Sequence, residues 1–272
     1  MILKNIKFAF LAFFSILMIT SCQIDEIVNP NGPTTSALEE NATLADLRLL
    51  ANGMTADLRT GLEYYYWTVS MVGREYYDLR DVDPRFTGEL LGKQGAVLDN
   101  NGFLVTRSYA ARYKAVKEAN ILINATTASK DAEVTDQVRD GVLGYGKTWK
   151  AYCLLLAANR QYNNGIRIDV NDPDNLGPFT ASYAESLAGI ADLLDEANRH
   201  LTDAGDIDFP FYSPNFSTTA GFSSFNRAIS ARVALYRNDN NAALNLLEDS
   251  FMDLTAGADL KNGVFHEFRS QW

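Results

Sequence analysis

The spacing of apolar residues constrains this chain most. Tyr183, Leu187, Ile190, Leu194, Ala197 and Leu201 recur at steps of three and four residues. A stripe of that period buries itself as one face of an α-helix and as nothing else. Its start is marked by Thr180 and Ser182, with Glu185 three residues beyond the serine, the pattern of a capping box. Tyr145, Trp149, Tyr152 and Leu156 make a second stripe, and Tyr109, Tyr113, Val116, Asn120 and Ile123 a third. The same reading predicts helices over 43–60, about 224–237 and 240–252. The expected fold class is mainly α. Hydrophobic residues make up 47% of the chain, enough to fill the core these stripes imply.

The last two helices are separated by the polar break Arg237-Asn238-Asp239-Asn240. Small alanines against Leu and Tyr on either side let two helices approach closely, as in a tetratricopeptide hairpin. No strict 34-residue period is visible, so such repeats are degenerate. Long polar or aromatic stretches at 61–106, 161–181 and 205–223 separate the helices. Loops of that length usually carry function. Within the first, Gly102-Phe103-Leu104-Val105-Thr106 reads as a short strand.

The N-terminus carries an export signal. Lys4 and Lys7 precede Phe8–Ile19, twelve residues without charge. A membrane span needs about 20 apolar residues, so this run fits the core of a cleaved leader instead. Ile19-Thr20-Ser21-Cys22 resembles a bacterial lipobox, which implies cleavage before Cys22 and acylation of its thiol. Each buried methylene adds about 0.8 kcal/mol to such an anchor. Gln23-Ile24-Asp25-Glu26 resembles the acidic surface-export signal of Bacteroidetes-type lipoproteins. The expected organisation is a signal peptide at 1–21, a lipidated tether at 22–41 and a helical domain over 42–272. The formal charge is −10, and removing Lys4 and Lys7 from −10 leaves −12. Such a surface repels phosphate backbones, so no nucleic acid is expected as partner.

Catalytic and metal signatures are sparse. With Cys22 acylated, Cys153 has no disulfide partner, and its apolar neighbours mark it as a small buried hydrophobe. His200 and His266 lie far apart and outside any zinc-ligand spacing. No nucleophile motif or phosphate-binding glycine loop is present, so neither an enzyme nor a metal or other cofactor is expected. A lipid-anchored hydrolase ranks last. Asp169, Asn171, Asp172, Asp174 and Asn175 surround Pro173 and read as a solvated turn rather than a calcium loop.

The most suggestive chemistry is aromatic. Tyr64, Tyr65, Tyr66, Trp67, Tyr76, Tyr77, Phe86 and Phe103 crowd the 61–106 stretch, among Arg74, Asp78, Arg80, Asp81 and Arg85. Sugars stack their C–H faces on rings and hydrogen-bond to acids, amides and guanidinia. The same rings also serve to pack helices. Trp67, beside three tyrosines on an expected helix, and Trp149, on a stripe, are expected in the core.

In order along the chain stand the lipobox, Leu47–Met54, Arg112–Ile123, Gly146–Tyr152, Tyr162-Asn163-Asn164-Gly165 and the hairpin at 224–251. This succession resembles the SusD/RagB family of nutrient-binding outer-membrane lipoproteins. The resemblance implies a SusD-like helical domain, lipid-anchored on the outer membrane and facing the cell exterior. It implies binding of a glycan or other nutrient and delivery to a TonB-dependent, SusC-like transporter. The loop residues expected to contact ligand are Arg74, Tyr76, Tyr77, Asp78, Arg85 and Phe86. The alternative is a helical-repeat scaffold for another protein, without sugar binding. Family members are considerably longer, and this chain stops at Phe265–Trp272 without a turn or cap signal, so it is expected to be incomplete at the C-terminus.

Overall fold

Every stripe found in the sequence becomes a helix in the computed structural model, which describes residues 35–80, 82–213, 216–253, 255, 257–258 and 261–264. The expected leader, Cys22 and the tether as far as residue 34 lie outside the described residues, as do Asp81 and His266. The helices are α1 (Thr35–Asn41), α2 (Leu44–Arg59), α3 (Leu62–Val72), α4 (Pro84–Leu91), α5 (Phe103–Ala128), α6 (Asp136–Gln161), α7 (Tyr183–Ala204), α8 (Thr219–Tyr236) and α9 (Asn240–Glu248). Short 3₁₀ turns follow α4 at Lys93–Gly95 and α6 at Tyr162–Asn164.

Local chemistry explains the helix starts. Thr43 Oγ1 accepts from the Asp46 amide, and the Asp46 carboxylate accepts from the Thr43 amide, a reciprocal cap. At α7 the Glu185 amide donates to Ser182 Oγ at 3.1 Å. The Glu185 carboxylate reaches one residue further back than the sequence implies, to the Ala181 amide. At α4, Asp83 caps and Pro84 occupies the first turn, where its missing N–H is harmless.

From α5 to α9 each helix packs on its successor. Leu187, Ile190, Leu194, Ala197 and Leu201 of α7 are buried, as the stripe requires. A glycine brings α6 against α7: a Cβ on Gly144 would stand 2.6 Å from Leu201 Cγ and 2.8 Å from the Ala197 carbonyl oxygen. Tyr145 is the centre of a ring cluster with Trp149, Phe209, Phe211 and Phe222. The Thr55 hydroxyl donates to the Ala51 carbonyl, so the Tyr145 phenol donates its own proton to Thr55 Oγ1 at 2.6 Å. Arg112, fully buried on α5, donates to the carbonyls of Leu58 and Thr60 and so closes the C-terminus of α2. Trp149 is buried, and so is Cys153.

Several expectations are corrected. Gly102–Thr106 is not a strand: Phe103–Thr106 is the first turn of α5, capped by Gly102. The stretch 61–106 holds α3, where a helix was expected around Trp67, and also α4, which was not expected. Residues 35–41, assigned to the tether, form α1 and pack on α5. The stretch 205–223 ends earlier, since α8 starts at Thr219, and α9 stops at Glu248 rather than 252. Trp67 is not in the core; it is half-buried at the rim of a cleft.

The 161–181 stretch is irregular but anchored. The Tyr113 phenol donates to the Arg167 carbonyl and accepts from the Arg167 amide, fastening the segment to α5. Around Pro173, Asp172 Oδ1 accepts from the Asp174 amide and the Asp169 carbonyl from the Gly177 amide, a turn that Asn124 of α5 also holds through Asn171 Oδ1. No group of acids, histidines and cysteines suited to a metal occurs among the described residues.

Candidate functional site

The α3 sequence Leu62-Glu63-Tyr64-Tyr65-Tyr66-Trp67 puts rings on opposite flanks of one helix. Leu62 and Tyr65 turn inward onto Leu156 and Tyr152. Tyr64 and Trp67, one turn apart, point to the other side, their centroids separated by 6.0 Å. There they meet Phe86 of α4 and Phe103 of α5. Trp67 lies 4.0 Å from Phe86, and Phe103 sits edge-on to both Phe86 (5.6 Å) and Tyr64 (6.2 Å). These four rings form a small satellite core that holds the short α4.

Three guanidinia cover the cluster. Arg80 lies 4.8 Å above the Trp67 ring, Arg85 4.6 Å above Phe103 and Arg107 4.9 Å above Tyr64. Each is held in place. Arg80 grips Asp78 with two side-chain bonds of 3.0 and 2.8 Å. Arg85 grips Asp83 in the same way, and Arg107 donates to the Tyr64 hydroxyl. The Arg80 contact holds the Asp78 carboxyl below its usual range, and Arg85 lowers Asp83 to about 2. Both acids are therefore anions at neutral pH. Neither has a proton to give as a general acid, and the Asp78 side chain, 5% exposed with both oxygens bonded to Arg80, holds that guanidinium in place.

In front of this assembly lies a cleft of about 680 Å³, walled by Glu63, Tyr64 and Trp67 and by the segment 76–80. Tyr76 and Tyr77 are 45% and 49% exposed, so both rings offer a face to solute. Burial, then the Asp78 charge, raises the Tyr76 phenol above its ordinary value, so it remains a hydrogen-bond donor throughout the physiological range. A smaller adjoining cavity is lined by Tyr77, Asp78, Asp83, Phe86 and Lys93. The arrangement can stack a flat ligand face and exchange hydrogen bonds with its edge.

Of the residues proposed from sequence, Tyr76, Tyr77 and Asp78 share the main cleft, and Phe86 lines its smaller neighbour while acting mainly as the anchor of α4. Arg85 lines neither cavity and is committed to Asp83 and Phe103. Arg74 stands at the turn after α3 with a left-handed φ of 59° and lines neither cavity. Sequence reasoning did not single out Glu63 and Leu79, and it noted Tyr64, Trp67 and Arg80 in the aromatic cluster without assigning them to the site. The pair Tyr64 and Trp67 at helical spacing was the available signal, but it shows a face only once α3 is known to be a helix.

Elsewhere, His200 joins a polar chain between α6 and α7. Lys147 donates to His200 Nε2 at 3.0 Å and to Glu196 at 2.6 Å. Because a lysine only donates, His200 accepts on Nε2 and donates from Nδ1 to Asp140 at 2.7 Å. This chain is a tie between two helices.

Set against protein-family models, characterised proteins and solved structures, the chain matches none of them.

Proposed function

We propose that this chain is a non-catalytic capture protein of the SusD/RagB type. In this reading it is a lipoprotein anchored through Cys22 on the outer membrane, facing outward. It binds a glycan in the cleft of Trp67, Tyr76 and Tyr77 and passes it to a TonB-dependent transporter. The degenerate tetratricopeptide-type hairpins serve as the rigid frame. One observation carries the reading: two half-exposed tyrosines stand beside a guanidinium-covered ring cluster and an ionised Asp78. Rings stack on the C–H faces of a pyranose, and the phenols and the exposed Arg80 guanidinium, held by Asp78, bond its hydroxyls.

Affinity gel electrophoresis against a polysaccharide panel tests it. The intact protein is expected to be retarded by at least one neutral polysaccharide. Tyr76→Ala/Tyr77→Ala is expected to weaken that binding by about tenfold or more, from two lost stacking contacts of about 1 kcal/mol each. Retardation by none of the panel, or unchanged in the double variant, overturns the glycan reading.

The scaffold alternative has its own support in exposed Leu235 and Leu244, which give the α8–α9 hairpin an apolar surface. Copurification with a β-barrel transporter, with no affinity for any polysaccharide, would favour it.

A further inference from the structure

A second ring-lined cleft lies where the ends of α6, α7 and α8 meet. Its volume is about 650 Å³. Three tyrosines from three elements shape it: Tyr162 after α6, Tyr183 at the start of α7 and Tyr236 at the end of α8. Tyr162 is 59% exposed and Tyr236 39%. Tyr183 is half-buried and fixed, its phenol donating to Asn159 Oδ1 at 2.7 Å, with the Tyr162 ring 5.1 Å away.

The polar lining differs from that of the first cleft. Asn163 and Asn238 bring amides, and Arg237 brings the only charge among the lining residues. No carboxylate lines this cleft, whereas Glu63 and Asp78 line the first. The guanidinium of the first cleft, Arg80, is already bonded in bidentate fashion to Asp78. An anionic ligand is therefore repelled at the first cleft and attracted at the second.

We infer that the cleft of Tyr162, Tyr183 and Tyr236 is a second carbohydrate-binding site, one that takes a sugar bearing a carboxylate. The rings supply the stacking surface, the amides bond hydroxyls, and Arg237 faces the uronate. The site shares with the proposed function only the premise that exposed tyrosines here bind sugar faces. It does not need the first cleft to be occupied.

The test uses the full chain and two probes, pentagalacturonate and maltohexaose, with hydrogen-exchange mapping and calorimetry. Pentagalacturonate is expected to protect amides around 162–165 and 236–238. Tyr162→Ala is expected to weaken its binding about tenfold, the loss of one stacked ring. Arg237→Gln is expected to weaken it up to about fivefold and to flatten its salt dependence, as befits an exposed ion pair. Tyr162 is largely exposed, so neither change removes core packing, and an unchanged melting temperature verifies this. Absence of pentagalacturonate binding overturns the inference, as does protection confined to residues 64–80 or equal affinity in both variants. Maltohexaose reports on the first cleft separately: its failure to bind counts against the proposed function for that sugar and leaves the pentagalacturonate result standing.

Discussion

Phe86→Ala should melt one helix and spare the rest. Phe86 is the single buried residue of the eight-residue α4. A helix that short has no stability of its own in water. Its docking depends on Phe86 lying between Trp67 at 4.0 Å and Phe103 at 5.6 Å. Truncating a buried phenylalanine costs about 3 kcal/mol at the lower end of the usual range. That corresponds to an increase of about a hundredfold or more in the open population of α4. Native-state hydrogen exchange reads this directly: amides of residues 88–91 should exchange faster by that factor, while those of residues 145–158 in α6 keep their rates. The melting temperature should barely move, because α4 packs mainly on α3 and the turn after it. Binding at the first cleft should weaken, since the adjoining wall is lost. Unchanged exchange at 88–91 would refute the anchoring role. Acceleration spread equally over α6 would refute the idea that the cluster is a satellite of the main core.

Two glycines should respond with opposite signs. Gly144→Ala drives a methyl to within 2.6 Å of Leu201 Cγ. The overpacking penalty of about 1–3 kcal/mol exceeds the gain in helix propensity of about 1 kcal/mol, so the melting temperature should fall. Gly53→Ala on α2 meets nothing within 4 Å and should raise stability by about 0.5–1 kcal/mol in urea denaturation. The alkaline limb of stability should carry a signature of Cys153. Burial pushes its thiol up to about 11 from an ordinary value near 9, with Arg112 opposing. A raised folded pKa means stability that is complete below pH 9 and declines as pH rises through 11. Cys153→Ala removes that slope, so melting curves of the two proteins should converge between pH 9 and 11; parallel curves would refute the assignment.

How much was legible in the sequence depended on whether one face alone was apolar. The α7 stripe from Tyr183 to Leu201 has a polar opposite face, and its period stands out. In α3 the run Tyr64–Trp67 is aromatic on every side, because one flank meets Leu156 and another meets Phe86 and Phe103. No period survives such a pattern: a helix was expected around Trp67, but neither its bounds nor its cleft-facing side could be read. For α4 a signal was present in Asp83-Pro84, a cap followed by proline. Phe103-Leu104-Val105 read as a strand by composition, yet it continues directly into the α5 stripe, and tertiary packing overrode the local preference. Composition drew attention to Tyr76, Tyr77 and Asp78 as a group. It could not show that Arg85 is spent on Asp83, because that pairing exists only after the chain turns at Pro84.

The eleven residues of α3 work two faces at once. Tyr64 and Trp67 wall the first cleft, while Leu62 and Tyr65 on the inner flank are seated on Leu156 and Tyr152. The cleft wall is therefore only as steady as that inner seat, and a substitution at Leu156 would be felt by a solute it never touches.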